Sequence, residues 1–219
     1  MPVNVTAITR EQPSTDHSRA ERKARTRRQL LDAALALVGE RGFAALSLRE
    51  LTREVGITPA AFYRHFANLD ALGLVLVEES FGTLGSMLRE ARADRTPPEH
   101  LIDASVDLVV RHVRANRLHF RFVSRELAGG HHAIRQSIRK ELQLFRSELA
   151  VDLARLPFVR EWATDDLYVL ADLIVQTMVS TVSELLDVEP DDTRGEVAVA
   201  TSARKKLLLI VLGVPHWKP

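Results

Sequence analysis

The side chains with the clearest chemical potential lie within residues 47–66. Thr58 stands two residues after Gly56, and the small side chains of Ala60 and Ala61 follow it. A helix that begins with small side chains can enter the major groove of DNA, which is about 12 Å wide. There the alanine methyl groups could pack on thymine methyl groups, and the threonine hydroxyl could bond to a base edge or a phosphate. The spacing predicts a helix-turn-helix whose second helix contacts DNA.

The residues that follow extend this predicted surface. Tyr63, Arg64 and His65 would lie near the groove walls, where a hydroxyl, a guanidinium and an imidazole can reach phosphate oxygens. Phe62 and Phe66 are four residues apart, which predicts that they share the buried face of the same helix. A compact three-helix unit with another function could contain the same glycine turn and residue types, so this segment alone leaves both interpretations open.

Positive charge is concentrated immediately before this motif. Residues 17–68 contain ten lysines and arginines against five acidic residues, although the formal net charge of the chain is only +1. Within residues 19–28, six basic side chains stand against one acid, Glu21. Such a segment indicates binding to a polyanion, and the alternative is the solvated start of a helix. We predict that the DNA-contacting side chains are Arg25, Arg28, Ser47, Thr58, Ala60, Ala61, Tyr63, Arg64 and His65.

Local signals place helices along almost the whole chain. Ser47 and Glu50 form a capping-box pair, in which each side chain would bond to the backbone amide of the other residue. Thr58 and Asn68 stand at N-cap positions of the next two helices, and Thr193 begins a second capping box. No stretch shows the sustained alternation of a strand. We predict an all-α fold of about nine helices, spanning about residues 18–40, 48–55, 58–65, 69–93, 99–115, 117–128, 133–156, 165–186 and 193–212.

These signals divide the chain into three parts. Residues 1–17 carry Pro2 and Pro13 without hydrophobic periodicity and are predicted to be a disordered tail. Residues 18–67 would form a three-helix, helix-turn-helix DNA-binding domain. Residues 68–219 would form a larger helical domain for ligand binding and dimerisation. Outside residues 17–68 the chain has 20 basic against 24 acidic side chains, so the two folded parts are expected to have different partners.

Several functional classes find no support in the composition. Cysteine is absent from all 219 residues, which excludes disulfides, thiolate zinc sites and a cysteine nucleophile and is typical of a reducing compartment. There is no phosphate loop, His-Glu-x-x-His pair or nucleophile elbow, so we predict no enzymatic activity, no metal and no cofactor. No apolar run approaches the roughly 18 residues of a membrane span, and the N-terminus lacks the apolar core of a signal peptide. The sequence predicts a cytoplasmic protein that does not contact a membrane.

Several motifs occur in the order and spacing of one family. They are Arg27-Arg28-Gln29-Leu30-Leu31-Asp32-Ala33-Ala34, Gly42-Phe43, Ser47-Leu48-Arg49-Glu50-Leu51, Val55-Gly56-Ile57 and Phe62-Tyr63-Arg64-His65-Phe66. Over about residues 25–75 the chain resembles the N-terminal domain of TetR-family repressors. Asp70, Leu72-Gly73-Leu74 and, further along, Arg125-Glu126 and Gly129-Gly130 are similar to the FabR and DesT branch, which regulates unsaturated fatty-acid synthesis. Leu69 departs from the family pattern, because many members place a phosphate-contacting lysine there.

The resemblance implies a homodimer on a palindromic operator. Each subunit would present one recognition helix to successive major grooves, about 34 Å apart. In this family the last two helices of each subunit form a four-helix bundle at the dimer interface. Apolar stripes on these helices agree with such an interface, although an intramolecular core would show the same pattern. The stripes comprise Leu170, Leu173, Ile174, Thr177, Met178 and Thr181 on the eighth helix and Val197, Ala200, Leu207, Leu208 and Val211 on the ninth.

The branch resemblance also implies that the effector is a long-chain acyl-CoA, saturated or unsaturated. Its binding would move the fourth helix and so change DNA binding, and the regulated genes would be unsaturated fatty-acid or desaturase genes. The alternative is a repressor of a transporter or catabolic operon that responds to another hydrophobic molecule, and a helical lipid-binding protein or enzyme is more distant. Apolar side chains could line an acyl tunnel and regularly spaced arginines could bind phosphates, but a packed core and a solvated basic face would give the same patterns. The predicted ligand-contacting residues are Phe81, Leu84, Leu88, Val106, Val110, Phe120, Phe122, Arg125, Arg135, Ile138, Leu142, Ile174 and Met178.

Overall fold

The computed structural model describes residues 15–93 and 100–217, with the backbone alone for residues 15–18, 83–84 and 86–93. These residues form nine α-helices and no strand, which confirms the all-α prediction. Of the predicted tail, residues 1–14 lie outside the described part, whereas residues 15–17 already belong to the first helix. The helices are α1 (Thr15–Arg41), α2 (Leu48–Val55), α3 (Pro59–Phe62), α4 (Leu69–Ala93), α5 (Leu101–Ala115), α6 (Arg117–Gly129), α7 (His132–Leu153), α8 (Thr164–Asp187) and α9 (Thr193–Gly213), with 3₁₀ turns at Phe43–Ala45 and Val214–His216.

Side-chain caps define the starts of α2, α3 and α4. Ser47 Oγ accepts a hydrogen bond from Glu50 N at 3.2 Å, and Thr58 Oγ1 accepts one from Ala61 N at 3.2 Å. Asn68 caps α4 in the same way, at 2.8 Å. Each cap satisfies a backbone amide that has no partner within its own helix, and all three stand where the sequence predicts them.

Two predictions about local structure are wrong in detail. The Glu50 carboxylate does not close the capping box, because it pairs instead with Arg41 at 2.6 Å and so ties α2 to the end of α1. At the start of α9 the cap is Asp192 rather than Thr193, since Asp192 Oδ1 accepts from Gly195 N at 2.9 Å. Both differences arise from a stronger carboxylate interaction that was within reach.

The helix that was predicted to run to His65 ends earlier. α3 stops at Phe62, and residues 63–65 form a turn. Arg64 N and His65 N donate to the carbonyl oxygens three residues before them, at 3.2 and 2.8 Å, which is the tighter 3₁₀ pattern. The backbone therefore continues as a narrower, 3₁₀-like turn over Tyr63, Arg64 and His65, which are predicted to contact DNA.

Two glycines make turns that other residues would adopt with strain. Gly42 ends α1 with a φ of 81°, and Gly56 ends α2 with a φ of 72°. Both values lie in the positive region, where a Cβ atom clashes with the backbone. The turn at Gly56 is the one that sets α3 against α2.

One hydrophobic cluster continues from the N-terminal helices into the larger domain. Leu30 and Phe62 are fully buried in it, as are Phe122 and Ile138 from α6 and α7. Each such side chain stabilises the fold by about 1.5–3 kcal/mol. The N-terminal helices are therefore packed on the larger domain, chiefly through contacts of α1 with α6 and α4.

α8 has two apolar faces. By length and composition alone it could cross a membrane, but a core helix passes the same test. One face, with Ala171 and Val175, is buried against neighbouring helices of the same chain. On the other face Val169 and Leu173 are each 50% exposed. Packing within the subunit therefore accounts for only one of the two faces.

Candidate nucleic-acid interface

The basic part of α1 lies beside the turn that follows α3. Arg27 Nη1 donates to the backbone oxygen of His65 at 2.9 Å, and its guanidinium carbon lies 4.3 Å from the centroid of the Phe66 ring. Lys23 and Arg64 are also close enough to act electrostatically on His65. Two segments about 40 residues apart in sequence thus form one positively charged surface.

The predicted DNA-contacting residues of α3 are accessible. Tyr63 is 59% exposed, Arg64 and Ala60 are exposed, and Ala61 and His65 are partly buried. The small side chains of Ala60 and Ala61 lie on the first turn of the helix, where larger side chains would keep the backbone away from a groove. This arrangement suits the major-groove contacts predicted for these residues.

Ser47 and Thr58 are exposed, and both serve as helix caps. In each cap the hydroxyl oxygen accepts a hydrogen bond, so the hydroxyl hydrogen can still be donated to a phosphate oxygen. Their structural role and their predicted role in DNA binding are therefore compatible.

The two arginines predicted from α1 differ in their surroundings. Arg25 is exposed, whereas Arg28 pairs with Asp32 at 2.6 Å and with Glu79 of α4 at 3.0 Å. These carboxylates raise the pKa of Arg28, Asp32 through its hydrogen bond having the larger effect. Arg28 thus links α1 to α4, and its charge is partly offset by two neighbours. The four-residue spacing of Arg28 and Asp32 is visible in the sequence, whereas the pairing with Glu79, 51 residues away, is not.

Arg27, which was not among the predicted contacts, has the larger structural role. It stands three and four residues before the buried Leu30 and Leu31, so the helical period placed it on the inward face of α1. Its bond to His65 O holds the turn after α3 against α1. The phase of the helix was the signal that would have identified it.

The surroundings of His65 disfavour the protonated form of its imidazole. Burial lowers the pKa of its imidazole most, and the nearby charges of Lys23, Arg27 and Arg64 lower it further. Its buried Nδ1 atom has no hydrogen-bond partner among the described residues. A proton on this ring would add a charge to a surface that is already positive.

The pKa of a second histidine, His119, is also lowered in the folded chain. Burial lowers the pKa of His119 below the ordinary value of 6.5. Its Nδ1 atom lies 3.0 Å from Ser80 Oγ, and the Ser80 hydroxyl donates to Leu76 O at 2.7 Å, so Nδ1 carries the hydrogen of the first bond. In the unfolded chain these two imidazoles become protonated near their ordinary pKa of 6.5, whereas in the folded chain they become protonated only at lower pH. The contribution of the two neutral imidazoles to the free energy of unfolding is therefore fully present above about pH 6.5. It is lost as the pH falls through the lower pKa values of the folded state.

We expect the free energy of unfolding, measured by urea titration, to fall between about pH 7 and about pH 5.5. His119→Gln should reduce this dependence, because it removes one of the two histidines among the described residues whose pKa is lowered by folding. His132→Gln, at an exposed position, serves as the control. The same slope in the His119 variant as in the wild type would show that this imidazole does not cause the dependence.

The predicted ligand-contacting residues do not surround one cavity. Phe81, Phe122, Ile138 and Leu142 belong to the cluster that continues into the helix-turn-helix. The remaining apolar members whose side chains are described lie in two other packed clusters: Val106, Val110, Phe120, Ile174 and Met178. Leu84 and Leu88 lie outside the described side chains. The set stays a prediction, and its described apolar members form core.

Two cavities stand out among the described residues, and both lie elsewhere. The larger, about 250 Å³, is an apolar groove between α8 and the end of α9, lined on its exposed side by Leu173, Leu209 and Trp217. The smaller, about 60 Å³, lies beside the C-terminus of α8, and Val110 is the only predicted ligand contact among its lining residues. Neither is large enough, as it stands, to enclose a long acyl chain.

Three of the regularly spaced arginines, Arg117, Arg125 and Arg135, lie against backbone carbonyl oxygens at helix ends, and Arg117 also lines the smaller cavity. Arg117 donates to the carbonyl oxygens of Leu185 at 3.3 Å and Leu186 at 2.7 Å in the last turn of α8, and to that of Val188, just after it, at 2.6 Å. Arg125, predicted to bind ligand, donates instead to carbonyl oxygens at the end of α1, and Arg135 lies 3.5 Å from Gly130 O.

The predicted apolar stripes on α8 and α9 are divided between core and surface. Leu170, Thr181, Ala200 and Leu207 are buried within the subunit, whereas Leu173, Val197, Leu208 and Val211 are at least 41% exposed. Further apolar side chains are exposed on the same two helices and the turn after them: Val169, Leu209, Leu212 and Trp217. We refer to these eight exposed residues as the α8–α9 face.

The described residues contain no cluster of three histidine, aspartate or glutamate side chains arranged to hold a metal ion. Residues 30–74, by contrast, match the family model described as bacterial regulatory proteins, tetR family. The match begins in α1 and ends in α4, so it contains the helix-turn-helix.

Solved structures share the fold over most of the chain. A TetR-family transcriptional regulator from Streptomyces coelicolor is 18% identical, with a TM-score of 0.66 over 88% of this chain and 97% of that one. FadR from Bacillus subtilis, solved with stearoyl-CoA, is 18% identical, with a TM-score of 0.63 over 84% and 97%. AibR, solved with isovaleryl coenzyme A and operator DNA, is 16% identical, with a TM-score of 0.63 over 87% and 98%.

The matched segment is thus the helix-turn-helix itself, which lies beside a basic helix and is joined to a larger helical domain. Residues 30–74 are therefore similar to the DNA-binding domain of bacterial TetR-family regulators, and the chain as a whole shares the fold of solved regulators of that family.

Proposed function

We propose that this chain is a cytoplasmic repressor that binds a two-fold-symmetric operator as a homodimer and is controlled by a hydrophobic acyl-CoA. The observation that carries the proposal is the single surface made by the basic part of α1 and the exposed turn after α3. Arg27 joins these two segments through its bond to His65 O at 2.9 Å. A helix with small side chains can enter the major groove of DNA, and basic side chains on either side of it can bind the phosphates that line the groove.

Dimerisation is supported by the α8–α9 face. Isolated apolar side chains are common on protein surfaces, but eight of them on two adjacent helices and the turn that follows are not explained by packing within the subunit. A two-fold interface buries the same patch of both copies, so a single apolar face is enough to make it. Two recognition helices on one dimer would then meet a palindromic site.

The acyl-CoA part of the proposal draws on the relatives and on the apolar interior of the larger domain. FadR from Bacillus subtilis was solved with stearoyl-CoA and AibR with isovaleryl coenzyme A. Control of unsaturated fatty-acid or desaturase genes follows from the sequence resemblance to the FabR and DesT branch. The second candidate, another hydrophobic effector acting on a transporter or catabolic operon, fits the same apolar interior.

The salt dependence of DNA binding tests the proposed interface. Arg64→Ala is expected to weaken binding to a labelled duplex from upstream of the gene and to reduce the slope of log affinity against log salt by about one, because one phosphate contact is lost. Fluorescence anisotropy at several salt concentrations measures both quantities. Arg160→Ala removes the same charge from an exposed position in the larger domain and is the control. If the Arg64 and Arg160 variants have equal slopes, Arg64 does not contact phosphate.

Adding stearoyl-CoA or oleoyl-CoA to the same assay tests the effector. Opposite shifts in DNA affinity would identify a sensor of chain saturation, because a ligand moves an equilibrium only through its differential affinity for two states. Shifts in one direction would support acyl-CoA control without saturation sensing. Indifference to both would favour the second candidate.

A further inference from the structure

The end of α6 contacts the DNA-binding domain directly, at the end of α1 and at the turn that leads into α2. Arg125 Nη1 donates to Gly39 O at 3.2 Å and also to Glu40 O, so it caps the C-terminal carbonyls of α1. The next residue, Glu126, reaches the turn that follows α1: its Oε1 atom accepts a hydrogen bond from Phe43 N at 2.8 Å. A cation is favourable at the negative end of a helix, and a carboxylate is a strong acceptor for a backbone amide.

Glu126 joins two parts of the chain through one carboxylate. Its Oε2 atom accepts from His131 N, at the start of α7, at 2.9 Å. The side chain is only 1% exposed, and both of its oxygens are engaged by backbone amides, one from each domain. Neither amide has another described acceptor, so loss of the carboxylate would leave buried polar groups unsatisfied.

The surrounding packing leaves little room for this carboxylate to move. A Cβ atom at Gly130 would lie 1.9 Å from Glu126 Oε2, so the loop after α6 closes over the carboxylate only because glycine stands there. A Cβ atom at Gly73 of α4 would lie 2.6 Å from both the Phe43 ring and Ile134 Cδ1. The Phe43 ring is therefore held between α4 and α7 while its amide is held by α6.

We propose that Arg125 and Glu126 are positioning residues, and that the α6–α7 junction sets the orientation of the helix-turn-helix relative to the larger domain. This differs from transmission through α4 alone, which the sequence resemblance implied. The α1–α4 connection includes the Arg28–Glu79 pair, in which Arg28 is 53% exposed, and exposed ion pairs contribute little. The buried carboxylate, bonded to two backbone amides, is a stronger polar connection than this ion pair. The proposal that these residues influence DNA binding rests on the proposed function. The structural claim, that they hold the DNA-binding domain against the larger domain, does not.

Amide hydrogen exchange of the full-length protein without DNA tests the structural content. In Glu126→Gln the side chain keeps its size but offers one acceptor to two amides, so at least one of Phe43 N and His131 N should exchange about tenfold faster or more. Glu196→Gln removes a carboxylate that pairs with Arg114 at 2.6 Å, away from the junction, and is the control. Unchanged protection at both amides would overturn the proposal.

Arg125→Gln gives a second test that keeps the buried carboxylate. The Gly42 amide closes the last turn of α1 on Val38 O at 2.9 Å, and it should exchange about threefold faster when the cation at that helix end is removed. This variant changes an exposed side chain, so it should fold even if Glu126→Gln does not. Wild-type exchange at Gly42 would remove Arg125 from the proposal.

A measurement with DNA distinguishes positioning from simple stabilisation. A duplex of arbitrary sequence at low salt binds a cationic surface without an operator. In the wild type it should slow exchange at His131, on the far side of the carboxylate, whereas in Glu126→Gln the slowing should be confined to the helix-turn-helix. Equal slowing at His131 in both proteins would overturn the positioning role. If the wild type does not bind duplex DNA, the proposed function fails, while exchange without DNA still decides the structural claim.

Discussion

Phe62→Ala is expected to lower the free energy of unfolding by about 3–5 kcal/mol and to abolish DNA binding. Phe62 is fully buried, and its ring packs against Phe66, with centroids 5.7 Å apart, and against the edge of Tyr63 at 5.6 Å. Its removal leaves a cavity in the cluster that joins the helix-turn-helix to the larger domain. Urea unfolding at pH 7.5 measures the loss.

The effect on DNA binding follows from the length of α3. A helix of four residues cannot form by itself, because helix nucleation fixes several residues for each hydrogen bond gained. α3 is held in place by one fully buried side chain and by the Arg27 bond to the turn after it. Without Phe62 the segment would lose its anchor, and Ala60 and Ala61 would no longer be presented to the groove.

The neighbouring residue gives a matched control for this experiment. Tyr63 is 59% exposed, so Tyr63→Ala should change stability by no more than about 0.5 kcal/mol while it weakens binding to duplex DNA. Two adjacent aromatic residues would thus separate folding from recognition. A loss of stability in the Tyr63 variant as large as in the Phe62 variant would show that Tyr63 is a core residue and not a DNA contact.

The starts of helices could be predicted from the sequence because capping is local. Ser47, Thr58 and Asn68 each bond to an amide three residues later, so nothing distant decides their role. The end of the DNA-contacting helix could not be predicted in the same way. It depends on Arg27, 38 residues earlier in the chain, which holds the His65 carbonyl.

The ligand-contacting residues show where local pattern stops being informative. An apolar side chain such as Ile138 has the same sequence signature whether it lines a tunnel or fills a core, and only the packing of distant helices decides. The arginines show the same limit. Arg125 has the spacing of a phosphate-binding residue, but the carbonyls that it caps come from 85 residues away. The amides that bond to Glu126 lie 83 residues before it and 5 residues after it, so sequence spacing could not predict that one carboxylate joins them.

The α8–α9 face supports the other large effect that we expect. Leu209→Glu should convert a dimer to a monomer at micromolar concentration, because it places a charge within a face that association would remove from water. Leu209 is 70% exposed in the isolated chain, so the substitution should leave the subunit folded. Light scattering measures the mass, and the urea midpoint verifies the fold.

The same substitution should weaken binding to a palindromic operator by about 100-fold or more, since the second half-site is bound at high effective concentration only while the two subunits are joined. Leu144→Glu introduces the same charge at a 51% exposed leucine of α7, away from the α8–α9 face, and should leave both mass and DNA affinity unchanged. A Leu209 variant that stays dimeric would place the interface elsewhere. A monomeric variant with undiminished affinity would instead mean that one helix-turn-helix, with the basic arm of α1 beside it, is sufficient for DNA binding.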